Sequence, residues 1–173
     1  MRRRTMVILG ITAAIAGFAA FDLVSTIRRG LSTRDEPKRM EAIVARSMRH
    51  WAVPADLRDA KNPVALTPAI LTEAREHWAD HCAICHGNDG RGQTAIGHSL
   101  YPRAPDMISP RTQNLSDGEL FAIIENGVRL TGMPGWGDGT DASKRSSWTL
   151  VHFIRHLPKI APEELRSMEA MNP

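Results

Sequence analysis

The sequence predicts an all-α fold: an apolar N-terminal helix, an amphipathic linker helix, and then a helical domain. Three observations carry this. Met6 to Phe21 runs for sixteen residues without a charge. Apolar residues recur at helical spacing in several later segments, and nowhere do β-branched residues alternate for long enough to build a sheet. No internal repeat is present.

Taken in order, Met1-Arg2-Arg3-Arg4 sets three positive charges before the apolar run. Charges so placed hold the N-terminus on the cytoplasmic side and send the rest across. Passing Asp22, the apolar stretch reaches Ile27, about 33 Å of helix at 1.5 Å per residue, which is enough to span a bilayer. Arg28 and Arg29 mark its end, and Ala14 and Ala16 fall too early for a cleavage site. The expectation is an inner-membrane signal anchor over residues 1–27 with the remainder in the periplasm. A cleaved signal with a soluble periplasmic product is the alternative.

Residues 28–66 hold nine Lys/Arg against five Asp/Glu, a net of +4, whereas residues 67–173 hold ten against thirteen, a net of −3. The basic balance of the whole chain therefore belongs to its first third. A nucleic-acid function read from overall charge is excluded, because that charge comes from the N-terminal arginines and the connecting segment and an exported protein does not meet genomic DNA. The connecting segment is suited to anionic headgroups or simply to solvent.

Within the 28–66 linker, Asp35 to Trp51 reads as a helix with Pro37 in its first turn and a stripe of Met40, Ile43, Val44, Met48 and Trp51. That stripe must bury against the domain that follows, a membrane surface or a partner, and packing on its own domain is the ordinary expectation. Pro54, Pro63 and Pro68 then describe an extended strap.

The domain at residues 67–173 opens with Thr67 as a candidate N-cap and Pro68 at the first helical position. Leu71, Ala74, Trp78 and Cys82 share one face of this helix, and Gly87, Gly90 and Gly92 end it in a turn-rich loop. Ser116 and Glu119 have capping-box spacing ahead of Leu120, Phe121, Ile123 and Ile124, and Asn126-Gly127 closes that helix. A further helix is expected from about Lys144 to Leu157, stopped by Pro158, with a short tail helix near residues 162–171.

Both cysteines of the chain lie in Cys82-Ala83-Ile84-Cys85-His86. Two thiols at this spacing can add across the vinyl groups of a porphyrin, and the adjacent histidine then meets the iron as an axial ligand. A structural zinc site would need a second ligand pair, and none exists. A redox Cys-x-x-Cys would follow a strand, and here a helix precedes it. A disulfide between Cys82 and Cys85 is the remaining alternative, and it leaves His86 unexplained. For the opposite iron position, Met133 lies in the glycine- and proline-rich stretch Thr131-Gly132-Met133-Pro134-Gly135-Trp136-Gly137, with Met107 as competitor. A thioether favours reduced iron and closes the site to oxygen.

From Thr67 to Leu157 the arrangement resembles the class I (monohaem) cytochromes c, of the membrane-anchored bacterial type. Ala74 and Trp78 stand eight and four positions before the first cysteine, where that family has a small and an aromatic residue. The attachment motif, the Gly-Met-Pro loop and the terminal helix follow in the family's order. The resemblance implies three to five helices around one covalent haem c, with iron held by His86 and Met133. It implies that Ala74 and Trp78 cross the last helix at Leu150 and Phe153. It also implies a proline carbonyl, Pro105 or else Pro102, accepting a hydrogen bond from the second nitrogen of His86. Arg103, Arg129 and Trp136 are candidate partners of the haem propionates.

The function so implied is single-electron transfer between a redox donor and an acceptor, with no catalytic residues. Alternatives are a haem subunit of a larger membrane dehydrogenase or terminal oxidase, with the 35–51 helix as docking element, and an open-site haem enzyme or gas sensor. Only one attachment motif is present, and 87 residues follow it, which disfavours a dihaem peroxidase and a four-helix sensor.

Overall fold

The computed structural model describes residues 2–28 and 32–172, and every regular element among them is helical. The chain forms two compact units, Met1–Thr33 and Arg34–Pro173.

The first unit is α1 (Arg2–Arg28), the one helix among the described residues long and apolar enough to cross a membrane. Its 27 residues make about 40 Å of helix against a hydrocarbon core of about 30 Å. Ser25 and Thr26 turn their hydroxyls back to the Asp22 carbonyl, and Thr12 does the same to Ile8, so these polar side chains are satisfied within the helix. Arg29, expected to help mark its end, lies outside the described residues.

In the second unit α2 (Arg39–Ala52) starts later than expected. Pro37 precedes the helix rather than sitting in its first turn, because Lys38 is still extended, with ψ 151°. The expectation that the α2 stripe packs on its own domain is corrected. Met40, Ile43, Val44, Met48 and Trp51 are 50–73 % exposed. The helix meets the domain through its polar side instead, where His50 Nδ1 lies 2.6 Å from Glu119 Oε1 and Tyr101 donates a hydrogen bond of 2.6 Å to Glu41.

The strap is also less extended than expected, since α3 (Ala55–Arg58) makes a helical turn within it. Gly118 is the reason this turn can dock: a Cβ there would fall 1.6 Å from the Leu57 carbonyl oxygen. Beyond it, Asn62 Nδ2 donates to the Trp148 carbonyl at 2.7 Å, and His152 Nε2 sits 2.7 Å from the Val64 carbonyl.

The core is a crossing of α4 (Pro68–His77) with a long helix near the C-terminus. Thr67 caps α4 by accepting from the Ile70 amide at 3.2 Å. Ala74, Trp78, Leu150 and Phe153 are each at most 2 % exposed, and the Trp78 and Phe153 rings stand 5.4 Å apart. After α4 come a π-helical turn (Trp78–Cys82), α5 (Ala83–His86), α6 (Ala95–Ser99) and α7 (Pro110–Gln113). Next is α8 (Asp117–Asn126), whose Ser116/Glu119 capping box is closed in both directions at 3.0 and 2.8 Å. The long helix, α9 (Asp141–His156), begins before Lys144 because Thr140 caps it, accepting from the Ser143 amide. Phe121 of α8 stacks on Trp148 of α9 at 4.2 Å. Arg155 ties α9 to the loop before α8, donating to the Gln113 and Leu115 carbonyls and to Asp117.

The tail helix α10 (Pro162–Glu169) returns to α4 through Glu164, which meets Arg75 Nη1 at 3.2 Å and His156 Nε2 at 2.9 Å. Burial alone would raise its carboxyl pKa. The Ala161 amide, His156 and Arg75 outweigh that and hold it below its ordinary value. A carboxyl depressed in the folded state stabilises above its unfolded pKa and loses that stabilisation as pH falls through the folded value. Glu164→Gln should therefore lower stability at neutral pH by about 1–2 kcal/mol. Thermal melts should show the gap from wild type closing as pH drops below about 4.5.

Candidate haem site

The attachment motif does not continue α4 as a regular helix. From Trp78 to Cys82 the chain takes a π-helical turn, with the Ala83 amide bonded five residues back to the Trp78 carbonyl. The extra residue turns Cys82 away from its α-helical position, leaving Ala79 fully buried and Cys82 partly exposed. α5 then carries Cys85 and His86 and stops at Gly87, whose φ of +75° is open to glycine without strain.

Trp78 fixes this segment from beneath. Its indole Nε1 donates to the Gly87 carbonyl at 3.0 Å, satisfying one of the acceptors a helix end leaves open. The same ring lies against Phe153 on one side and 5.7 Å from the His86 imidazole on the other. The motif is thereby keyed to α9.

His86 is buried, and its Nδ1 has no hydrogen-bond partner. Burial pushes its pKa down to about 4, while the Pro105 carbonyl facing the ring acts in the opposite sense without reaching hydrogen-bond geometry at Nδ1. The imidazole is therefore neutral at physiological pH, the form that ligates a metal. Cys82 and Cys85 are free thiols. Burial, aided by Cys85, pushes Cys82 up to about 12, and burial raises Cys85 as well.

Two loops flank the motif. In the first, the Gly92 amide donates to the His86 carbonyl at 2.7 Å and the Thr94 hydroxyl to the Ile84 carbonyl at 2.8 Å, which docks α6 on α5. Gly92 is needed here: a Cβ would stand 2.5 Å from the Ala104 carbonyl oxygen. The second loop holds Met133, partly exposed. Its carbonyl accepts from the Val128 amide, while Trp136 and Gly137 donate to the last carbonyls of α8. Gly132 abuts Leu100, and the Trp136 ring stacks on His81 at 5.4 Å. Met133 is thus strung between a contact to the α6 loop and a contact to the residue before Cys82.

Other candidates fall elsewhere. Arg103 pairs with Glu36 at 3.0 Å, and Arg129 is exposed. Met107 packs beside the core, its amide bonded to the Gly90 carbonyl and its own carbonyl to Gln113. Two clefts lie away from the buried His86: one of about 150 Å³ between α2 and α8, and a wide-open one of about 530 Å³ beside His77 and His81. Sequence reasoning missed Gln113, which bridges the Met107 and Ile154 carbonyls, because a lone glutamine in a short helix gives no signal.

The residues present fit a covalent haem. Two free thiols and a neutral imidazole stand on one short segment, and the buried imidazole Nδ1 has no hydrogen-bond partner among the described residues, with the Pro105 carbonyl near the ring. Residues 69–154 match the family described as cytochrome c oxidase, cbb3-type, subunit III. This domain belongs to the c-type monohaem cytochromes. Its cofactor is covalently bound haem c, and its activity is electron transfer. No curated protein matches the chain. In this cytochrome the Trp78 indole serves both packing and the motif's terminal carbonyl, so the two losses separate by substitution. Trp78→Phe should cost about 1–2 kcal/mol and Trp78→Ala about 3–5 kcal/mol in thermal unfolding of the holoprotein.

Proposed function

We propose that the cytochrome carries single electrons through a six-coordinate haem whose iron is held by His86 and Met133, with Cys82 and Cys85 as the thioether links. Iron alternating between ferric and ferrous states supplies the one-electron chemistry. Each thiol adds its S–H across one vinyl group, so attachment needs no oxidant. His86 supplies Nε2, with the Pro105 carbonyl placed to orient the ring through Nδ1. Met133 supplies a soft thioether that raises the potential and closes the site to small ligands. The observation that carries this reading is His86 itself: a buried neutral imidazole with an unpartnered Nδ1 and the Pro105 carbonyl near its ring.

In this reading α1 is a retained anchor, the haem domain faces the periplasm, and Arg103 and Trp136 lie near the haem edge. The match to an oxidase subunit family favours a second assembly, in which the chain is the haem module of a membrane oxidase or dehydrogenase. Sizing after solubilisation in mild detergent separates the two, because a free anchored carrier runs as itself.

An open-site enzyme or sensor is distinguished by carbon monoxide. The reduced wild-type protein should bind it slowly, and Met133→Ala should bind it rapidly and lose the long-wavelength ferric charge-transfer band of methionine ligation. Rapid binding by the untreated wild type contradicts methionine ligation.

A further inference from the structure

The α2 stripe is an apolar face of five large side chains that the second unit's own fold leaves uncovered. Met40, Ile43, Val44, Met48 and Trp51 lie within a helical arc of roughly 140° at 100° per residue, and all five face solvent. Monomeric soluble domains seldom expose a contiguous stripe of this kind, rimmed by polar residues, without something covering it. His50–Glu119 and Glu41–Tyr101 tie α2 to the domain along the two edges of the stripe, while Arg46 and Arg49 on the far side line the cleft beside Glu119, so the stripe's outward direction is built in.

We propose that this stripe lies in the headgroup region of an anionic bilayer, the same bilayer that α1 enters. The inference rests on the anchor reading of α1. Three observations commit it to lipid. Arg28 ends α1 and Arg39 begins α2, and the ten intervening residues span at most about 36 Å, which keeps the surface within the stripe's reach. The charge is complementary: residues 28–66 carry a net +4 while the haem domain carries −3, so an anionic surface draws this segment and not the domain. Trp51, 73 % exposed, ends the stripe, and Arg39 borders it, the combination that suits an interfacial helix. With α2 on the surface, the side of the domain bearing Glu119 and Tyr101 is turned toward lipid, and the haem domain cannot rotate freely on its tether.

The stripe contains two methionines and a tryptophan, which hydroxyl radicals oxidise readily. Full-length holocytochrome is reconstituted into liposomes of phosphatidylcholine with a minority of phosphatidylglycerol, and radiolytic oxidation is read peptide by peptide. Met40, Met48 and Trp51 should oxidise several-fold more slowly than partly exposed Met171, despite their greater exposure. Val44→Asp, a change at a solvent-facing position, should restore their oxidation while leaving the haem spectrum and melting temperature unchanged. Fast oxidation in wild type on vesicles that retain the protein through an alkaline wash overturns the proposal and leaves the anchor standing. Loss of the protein in that wash overturns both. Protection in native membranes but not in liposomes assigns the stripe to a protein partner and overturns the lipid assignment.

Discussion

The position of Trp78 is the constraint on which the rest of the haem domain depends. Its ring is wedged between Phe153 and His86, and its indole nitrogen is committed to the Gly87 carbonyl. Hydrophobic burial and a helix-end hydrogen bond therefore act on the same side chain. Any shift of α9 moves the platform beneath His86. Arg155, Gln113 and Glu164 then brace the C-terminal end of α9, just past Phe153, against the loop before α8 and against α10.

The same packing sets the electrostatics of the motif. Burying an imidazole disfavours its charged form, and burying two thiols disfavours the thiolates, so the segment is neutral where a planar apolar ring must lie. Arg103, Asp80 and Glu73, by contrast, are paired in the open. This separation of a neutral interior from a charged periphery is the physical form that an electron-transfer site takes when its cofactor does the chemistry and the protein sets access and docking.

Much of this was legible in the sequence, and the exceptions have identifiable causes. Thr67, Ser116 with Glu119, and Gly127 act at helix ends where local chemistry decides, and they were read directly. Ala74 and Trp78 follow from helical periodicity, and their crossing with Leu150 and Phe153 is what the resemblance to class I cytochromes c implies. The π turn at Trp78–Cys82 left no mark, because it arises in the tertiary packing that buries Trp78 and Ala79 and sets Cys82 beside the core. The α3 turn depends on Gly118, sixty residues away. The orientation of α2 was misjudged for a related reason: periodicity identifies an apolar face but not what faces it, and here a polar pair, His50 and Glu119, claims the inner side. The motif was explicit, whereas the contacts that hold the loop around Met133, Gly132 to Leu100 and Trp136 to His81, required the fold.

The central claim is that Cys82 and Cys85 hold a haem against His86. Mass spectrometry of the purified, denatured and proteolysed protein tests it most directly. The account predicts that the peptide spanning Cys82 to His86 retains the mass of one haem and resists thiol alkylation at both cysteines. A peptide of unmodified mass that takes up two alkyl groups, or one that carries a disulfide, would contradict it.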